Sequence, residues 1–101
     1  MRVLVMFDLP VGSSEQRKEY TRFRKFLIKN GFLMMQESIY CKLALNATVV
    51  NAIKDQVYKN KPKEGLVQLL TITEKQYERM EIIVGSGQKE VLESDERLVI
   101  F

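Results

Sequence analysis

The hydrophobic pattern alternates between two periods. Val3-Leu-Val-Met-Phe7 is an unbroken apolar run that meets Asp8 and then Pro10. Such a run reads as a strand buried on both faces, and Pro10, which lacks an N–H and disfavours helix just before it, ends the strand near Asp8. Ser13 and Gln16 then have the spacing of a capping box, with Glu15 in the first turn suiting the helix dipole. The helix they open is predicted to reach Asn30-Gly31, with Tyr20, Phe23 and Leu27 as its core face and Phe26 at the edge. From Phe32 to Leu45 the period changes: Ile39, Cys41, Leu43 and Leu45 alternate with Tyr40, Lys42 and Ala44, as in a half-buried strand. Gln36-Glu37-Ser38 interrupts this stretch, as either a bulge or a tight hairpin.

Asn46 caps a second helix with Val49, Val50, Ile53 and Val57 inward, stopped before Lys59-Asn-Lys-Pro-Lys63 by Pro62. Gly65–Ile72 is apolar on both faces apart from Gln68 and is predicted to be a central strand. Thr73 and Gln76 repeat the capping-box spacing and open a short helix to about Met80. Glu81–Val84 reads as a brief strand, Gly85-Ser-Gly-Gln88 as a turn and Arg97–Phe101 as a last strand. Two helices interleaved with strands in so short a chain predict an α+β, ferredoxin-like (βαββαβ) sandwich with both helices on one face of an antiparallel sheet. Residues 1–80 supply that core. The extra strands in 81–101 have no obvious place in it and are expected to pair across a homodimer.

A chain of 101 residues, 46% hydrophobic and 29% charged, folds as one domain with a modest core, which makes self-association a reasonable expectation. No apolar run approaches the roughly 20 residues of a membrane span, and the N-terminus reads as a strand and not as a signal peptide. The expected localisation is cytoplasmic, with no membrane partner. Histidine is absent and Cys41 is the only cysteine. Internal disulfides, ordinary zinc sites, Cys–His nucleophiles and histidine acid–base chemistry within the chain are thereby excluded. Any metal must be a hard cation held by oxygen, Mg2+ or Mn2+. Asp8, where a strand leaves the sheet, is either a ligand for such an ion or a turn cap.

Net charge is +3, so placement matters more than the sum. Lys18, Arg22, Lys25 and Lys29 step by four, three and four along the first helix, opposite its core face, with no acid interrupting at i+4. Arg17 and Arg24 flank this stripe. A single-signed stripe, doubled in a dimer, would follow duplex phosphates without reading sequence. The Lys59–Lys63 loop is either a further phosphate contact or a soluble tip.

Several fragments in order resemble one family. They are the apolar strand ending in Phe7-Asp8, Arg17 near the start of the next helix, and Gly31-Phe-Leu-Met-Met-Gln36-Glu-Ser38-Ile-Tyr40. Together they resemble the small CRISPR-associated adaptation proteins, Cas family two. Phe7-Asp-Leu-Pro10, Phe23-Arg-Lys-Phe-Leu27 and Leu69-Leu-Thr-Ile-Thr-Glu-Lys-Gln76 resemble the branch found with type II systems. The resemblance implies a ferredoxin-like homodimer whose C-terminal strands cross to the partner's sheet. It also implies a bridge between two dimers of the CRISPR-associated integrase during spacer acquisition. Many members are described as magnesium-dependent endonucleases on RNA or DNA. This implies a catalytic, metal-ligating role for Asp8, an aromatic neighbour in Phe7 and a phosphate-facing Arg17. Relatives often carry an Arg between the Gly and Gln of the second motif, where this chain has Leu33, Met34 and Met35.

Two functions follow. An adaptor needs surface: a homodimer holding duplex DNA (or RNA) through Arg17, Lys18, Arg22, Lys25 and Lys29. An endonuclease needs an ion at Asp8 to stabilise charge at phosphorus, and one Asp per chain is a thin ligand set, so a second subunit must help and hydrolysis should be slow. A small-effector-binding regulator is a third class, for which no glycine-rich ligand loop is present.

Overall fold

The computed structural model describes residues 1–85. Its elements are β1 (Arg2–Asp8), α1 (Ser14–Lys29), β2 (Leu33–Gln36), β3 (Ile39–Leu43), α2 (Ala47–Lys59), β4 (Leu66–Ile72) and α3 (Glu74–Glu78). The strands form one antiparallel sheet in the order β2-β3-β1-β4, the ferredoxin-like arrangement. β1 pairs along its length with both β3 and β4, which is why its apolar run is unbroken. Val3, Val5 and Phe7 point to one face and are buried against Phe23 and Leu27 of α1 and Val50, Ile53 and Val57 of α2. Both helices therefore lie on that face.

α1 starts as its capping box dictates. The Ser13 hydroxyl accepts from the Gln16 N–H, and the Gln16 side chain accepts from the N–H groups of Gly12 and Ser13. It ends where Gly31 takes a φ of 89°, a left-handed turn that other residues adopt at a cost. Phe23 and Leu27 are fully buried, each contributing about 1.5–3 kcal/mol of burial. α3 opens on Thr73 with the same capping box, and α2 on Asn46, whose side chain accepts from the Val49 N–H.

Three local expectations are corrected. β4 is an edge strand, paired only with β1 among the described residues; its outward Leu66 and Leu70 are apolar yet exposed. On β3 the helix-facing position is Tyr40, fully buried, whereas Leu43 and, beyond the strand, Leu45 are exposed. Alternation alone could not say which of two apolar sets meets the helices. Glu81–Val84 forms no strand, having no neighbour to pair with among the described residues, and Ile83 and Val84 are exposed. The Gln36–Ser38 break combines both options: Glu37-Ser38 turns a hairpin, and the register shifts between Met34 and Gln36, leaving Met35 bulged. The expected turn from Ser86 onward and strand Arg97–Phe101 lie outside the described residues.

Among the described residues, the second face of the sheet carries no long helix. Register places Leu4, Met6 and Asp8 of β1 there, beside Leu66, Gln68 and Leu70 of β4, Ile39, Cys41 and Leu43 of β3, and Leu33 of β2. α3 reaches one end of it. The Arg2 guanidinium lies 4.1 Å over the Tyr77 ring and bonds both Glu74 carboxylate oxygens, at 2.9 and 3.2 Å.

Candidate functional site

Asp8 stands at the opposite end of this face from Arg2, where three segments converge. In register it faces Leu66, the first residue of β4. The hairpin turn is tied to the same place: the Phe7 N–H donates to the Ser38 carbonyl at 3.0 Å. Asp8, Gln36, Glu37, Ser38, Leu66 and Gln68 thus line one recess of about 420 Å³. Gly65 makes the close approach possible. Its φ is 96°, and a Cβ there would sit 2.7 Å from the Asp8 carbonyl oxygen and 2.8 Å from the Leu9 side chain.

Asp8 is exposed, and among the described residues nothing bonds its carboxylate, so it caps no turn there. Phe7 points to the other face. Its ring is buried 5.3 Å from Phe23, 5.7 Å from Tyr40 and 6.0 Å from Tyr20, which fixes the strand end that presents Asp8. The recess offers oxygen donors: the carboxylates of Asp8 and Glu37, the amides of Gln36 and Gln68 and the Ser38 hydroxyl. That chemistry fits Mg2+ or Mn2+ retaining several waters, and it suits no softer ion. Among the described residues no three acidic, histidine or cysteine side chains cluster to hold a metal. Cys41 is buried, and burial pushes its thiol up against the opposing pull of Arg2, so it is no ready nucleophile.

The basic residues are distributed less simply than the stripe suggested. Lys18, Lys25 and Lys29 are exposed on α1. Arg22, expected to face phosphate, is already engaged. Its Nε and Nη2 bond the Glu19 carboxylate at 3.1 and 3.2 Å, and Nη2 also donates to the carbonyls of Asn60 (3.1 Å) and Lys61 (3.4 Å). The acid that interrupts the stripe is at i−3, and i+4 spacing missed it. Arg17 donates to the Val11 carbonyl at 3.2 Å, and Arg24 to the buried Tyr40 hydroxyl at 2.9 Å. Arg17 borders a shallow groove with Ser14, Lys18, Thr21, Arg22 and Lys25, and does not line the Asp8 recess.

Sequence reasoning passed over Glu37 and Gln68 as neighbours of Asp8, and Gly65 as the residue that lets them meet. The turn at Glu37-Ser38 was visible, but its docking against a strand about 30 residues earlier was not. Glu19 was missed as well.

The sequence profile of the family described as "CRISPR associated protein Cas2" matches residues 1–80. A Treponema denticola protein named CRISPR-associated endoribonuclease Cas2 is 57% identical over 100 residues, 99% of each chain. One of the same name from Streptococcus mutans is 46% identical over 99 residues, covering 98% of this chain and 91% of its own. The crystal structure of Streptococcus pyogenes Cas2 at pH 6.5 superposes with a TM-score of 0.62 at 19% identity, over 83% of this chain and all of that one, which speaks to the fold. Among the described residues no helix is long and apolar enough to cross a membrane.

Proposed function

The chain belongs to the Cas2 family of CRISPR-associated proteins, and from that premise we propose that it is a homodimeric, duplex-DNA-binding subunit of the spacer-acquisition complex, of the type II branch, bridging integrase dimers. Metal-dependent cleavage of phosphodiesters at Asp8 is a secondary capacity. The observation that carries the adaptor reading is the outer surface of α1. Both ion pairs among the described residues use arginine, leaving Lys18, Lys25 and Lys29 exposed without a carboxylate partner. Point charges on a rigid helix suit backbone phosphates and carry no sequence information.

Dimerisation is supported by the second sheet face. Leu33, Leu43, Leu66 and Leu70 remain 49–70% exposed there, four large apolar side chains on one face of the sheet. A two-fold partner would cover it, and among the described residues β4 has one unpaired edge, where a crossing strand from the C-terminal part of 81–101 would fit. Because Asp8 lies on that face, dimerisation would bring a second carboxylate into its neighbourhood.

The cleavage reading draws on the relatives' name, endoribonuclease, and on the oxygen-lined recess. A bound Mg2+ would supply Lewis-acid stabilisation of charge developing at phosphorus. Within the chain, Asp8 would hold the ion, Gln36, Ser38 and Gln68 would orient its waters or the phosphate oxygens, and Phe7 would keep the strand end in place. With no histidine present, proton transfer falls to carboxylates, consistent with slow turnover.

Duplex binding is tested by fluorescence anisotropy across a salt series. Lys18→Ala with Lys25→Ala should lower the slope of log K against log salt by about 1.8 for each protomer engaged. An unchanged slope would remove α1 from the interface.

A further inference from the structure

We infer that the Lys59–Lys63 loop is a second, pre-positioned cationic rib of the duplex-binding surface, and that Glu19 and Arg22 act as positioning residues that hold it beside α1. The inference rests on the duplex-binding reading above and extends it to a part of the chain outside the helix.

Loops rich in lysine ordinarily stand off in water, because like charges repel and the side chains lose entropy when held. This loop is docked instead, along two turns of one helix. Arg22 Nη2 donates to the carbonyls of Asn60 and Lys61. Arg22 is itself held from its other side by the Glu19 carboxylate. Nearer the helix start, Gln16 Nε2 donates to Glu64 Oε1 at 3.1 Å. The loop's main chain supplies the bonds, so its lysine side chains stay free to point away. Lys59, Lys61 and Lys63 are exposed, and the Lys61 ammonium is steadied 4.8 Å over the exposed Tyr58 ring.

Two acids take part in building it: Glu19 binds Arg22, and Glu64 accepts from Gln16. Lys18 and Lys25 flank the anchoring Arg22 on α1. The result is two sets of exposed lysines, one on α1 and one on the loop bonded to it. Such a surface meets a polyanion without first ordering the loop, and a duplex backbone, with its dense regular phosphates, matches it by charge.

The test uses the full-length protein, a 30-base-pair duplex of arbitrary sequence and anisotropy titrations from 50 to 200 mM KCl. Lys61→Ala with Lys63→Ala should shrink the fall in affinity across that range by about tenfold per protomer engaged, the effect of losing two phosphate contacts. Glu19→Gln separates positioning from bare charge. It removes a negative charge beside the rib, so electrostatics alone would tighten binding; loss of the docked loop weakens it. Weaker binding at unchanged thermal stability supports the inference. Tighter or unchanged binding by Glu19→Gln, or an unchanged salt dependence after the loop double substitution, overturns it. Lys18→Ala with Lys25→Ala, run in parallel, reports on the α1 reading separately: an effect there without one in the loop sinks the rib and leaves the helix surface standing.

Discussion

Leu70→Ala is the most informative perturbation of the proposed dimer face. Leu70 sits on β4 opposite Leu4, on the sheet face away from α1 and α2, and is 49% exposed in the single chain. Fully burying a leucine side chain is worth about 1.5–3 kcal/mol, so covering the exposed half contributes about 0.7–1.5 kcal/mol. A two-fold interface counts it twice, giving about 1.5–3 kcal/mol, or roughly 10- to 100-fold in the dimer dissociation constant. The truncation also removes surface already buried in the monomer, so denaturant unfolding at low concentration should show a separate loss of about 1 kcal/mol. Ile28→Ala is the control: Ile28 is 50% exposed, but on α1. Sedimentation equilibrium over a dilution series reads both. Equal dissociation constants for the two variants would refute the assignment of this face.

Three further predictions concern the recess and the tertiary ties. Gly65→Ala places a Cβ 2.7 Å from the Asp8 carbonyl at a φ of 96° and should cost about 1–3 kcal/mol by thermal unfolding. If the protein stays folded, Mn2+-induced broadening of NMR signals around Asp8 should weaken; undiminished broadening would show that the recess does not depend on this approach. Tyr40→Phe leaves Arg24 without its hydroxyl partner and should cost about 1 kcal/mol in denaturant unfolding, since the half-buried guanidinium can turn to water. An effect above about 3 kcal/mol would mean the hydroxyl has a further role. The Arg22 guanidinium, bonded to both carboxylate oxygens, holds the Glu19 carboxyl below its ordinary value of 4.5. A lowered folded value gives a contribution fully present above pH 4.5 and lost as pH falls through the folded value. A carboxyl-carbon NMR titration of Glu19 should have its midpoint below 4.5, and Arg22→Ala should raise it; a midpoint that Arg22→Ala leaves unmoved would refute the pairing.

What was legible in the sequence is what is decided locally. Ser13 with Gln16 and Thr73 with Gln76 are bonded as their spacing requires. The inward faces of both long helices follow from period alone, and the unbroken run of β1 fits a strand paired on both sides. The same reasoning failed for β4, because an apolar strand is apolar whether a second strand or a second subunit covers it. On β3, two apolar sets alternate, and only the docking of α1 selects Tyr40 over Leu43. Asp8 could be picked out as a strand-end acid, but its neighbours Gln36, Glu37 and Gln68 arrive through strand register. Arg22 was the most misleading position. Helical spacing placed it correctly on the outer face, but its partners at Asn60 and Lys61 lie 38 and 39 residues away, beyond the reach of any helical period.

The central claim, an adaptor that can cut rather than a nuclease that also binds, turns on Asp8. Its exposed carboxylate carries no bond from the described residues, so Asp8→Ala should leave fold, dimer and duplex binding intact. Measured in parallel on that one variant, Mg2+-dependent cleavage of RNA or DNA should disappear while spacer acquisition in cells persists. Loss of acquisition, with dimer and duplex affinity unchanged, would contradict the account and make metal chemistry at Asp8 the essential function.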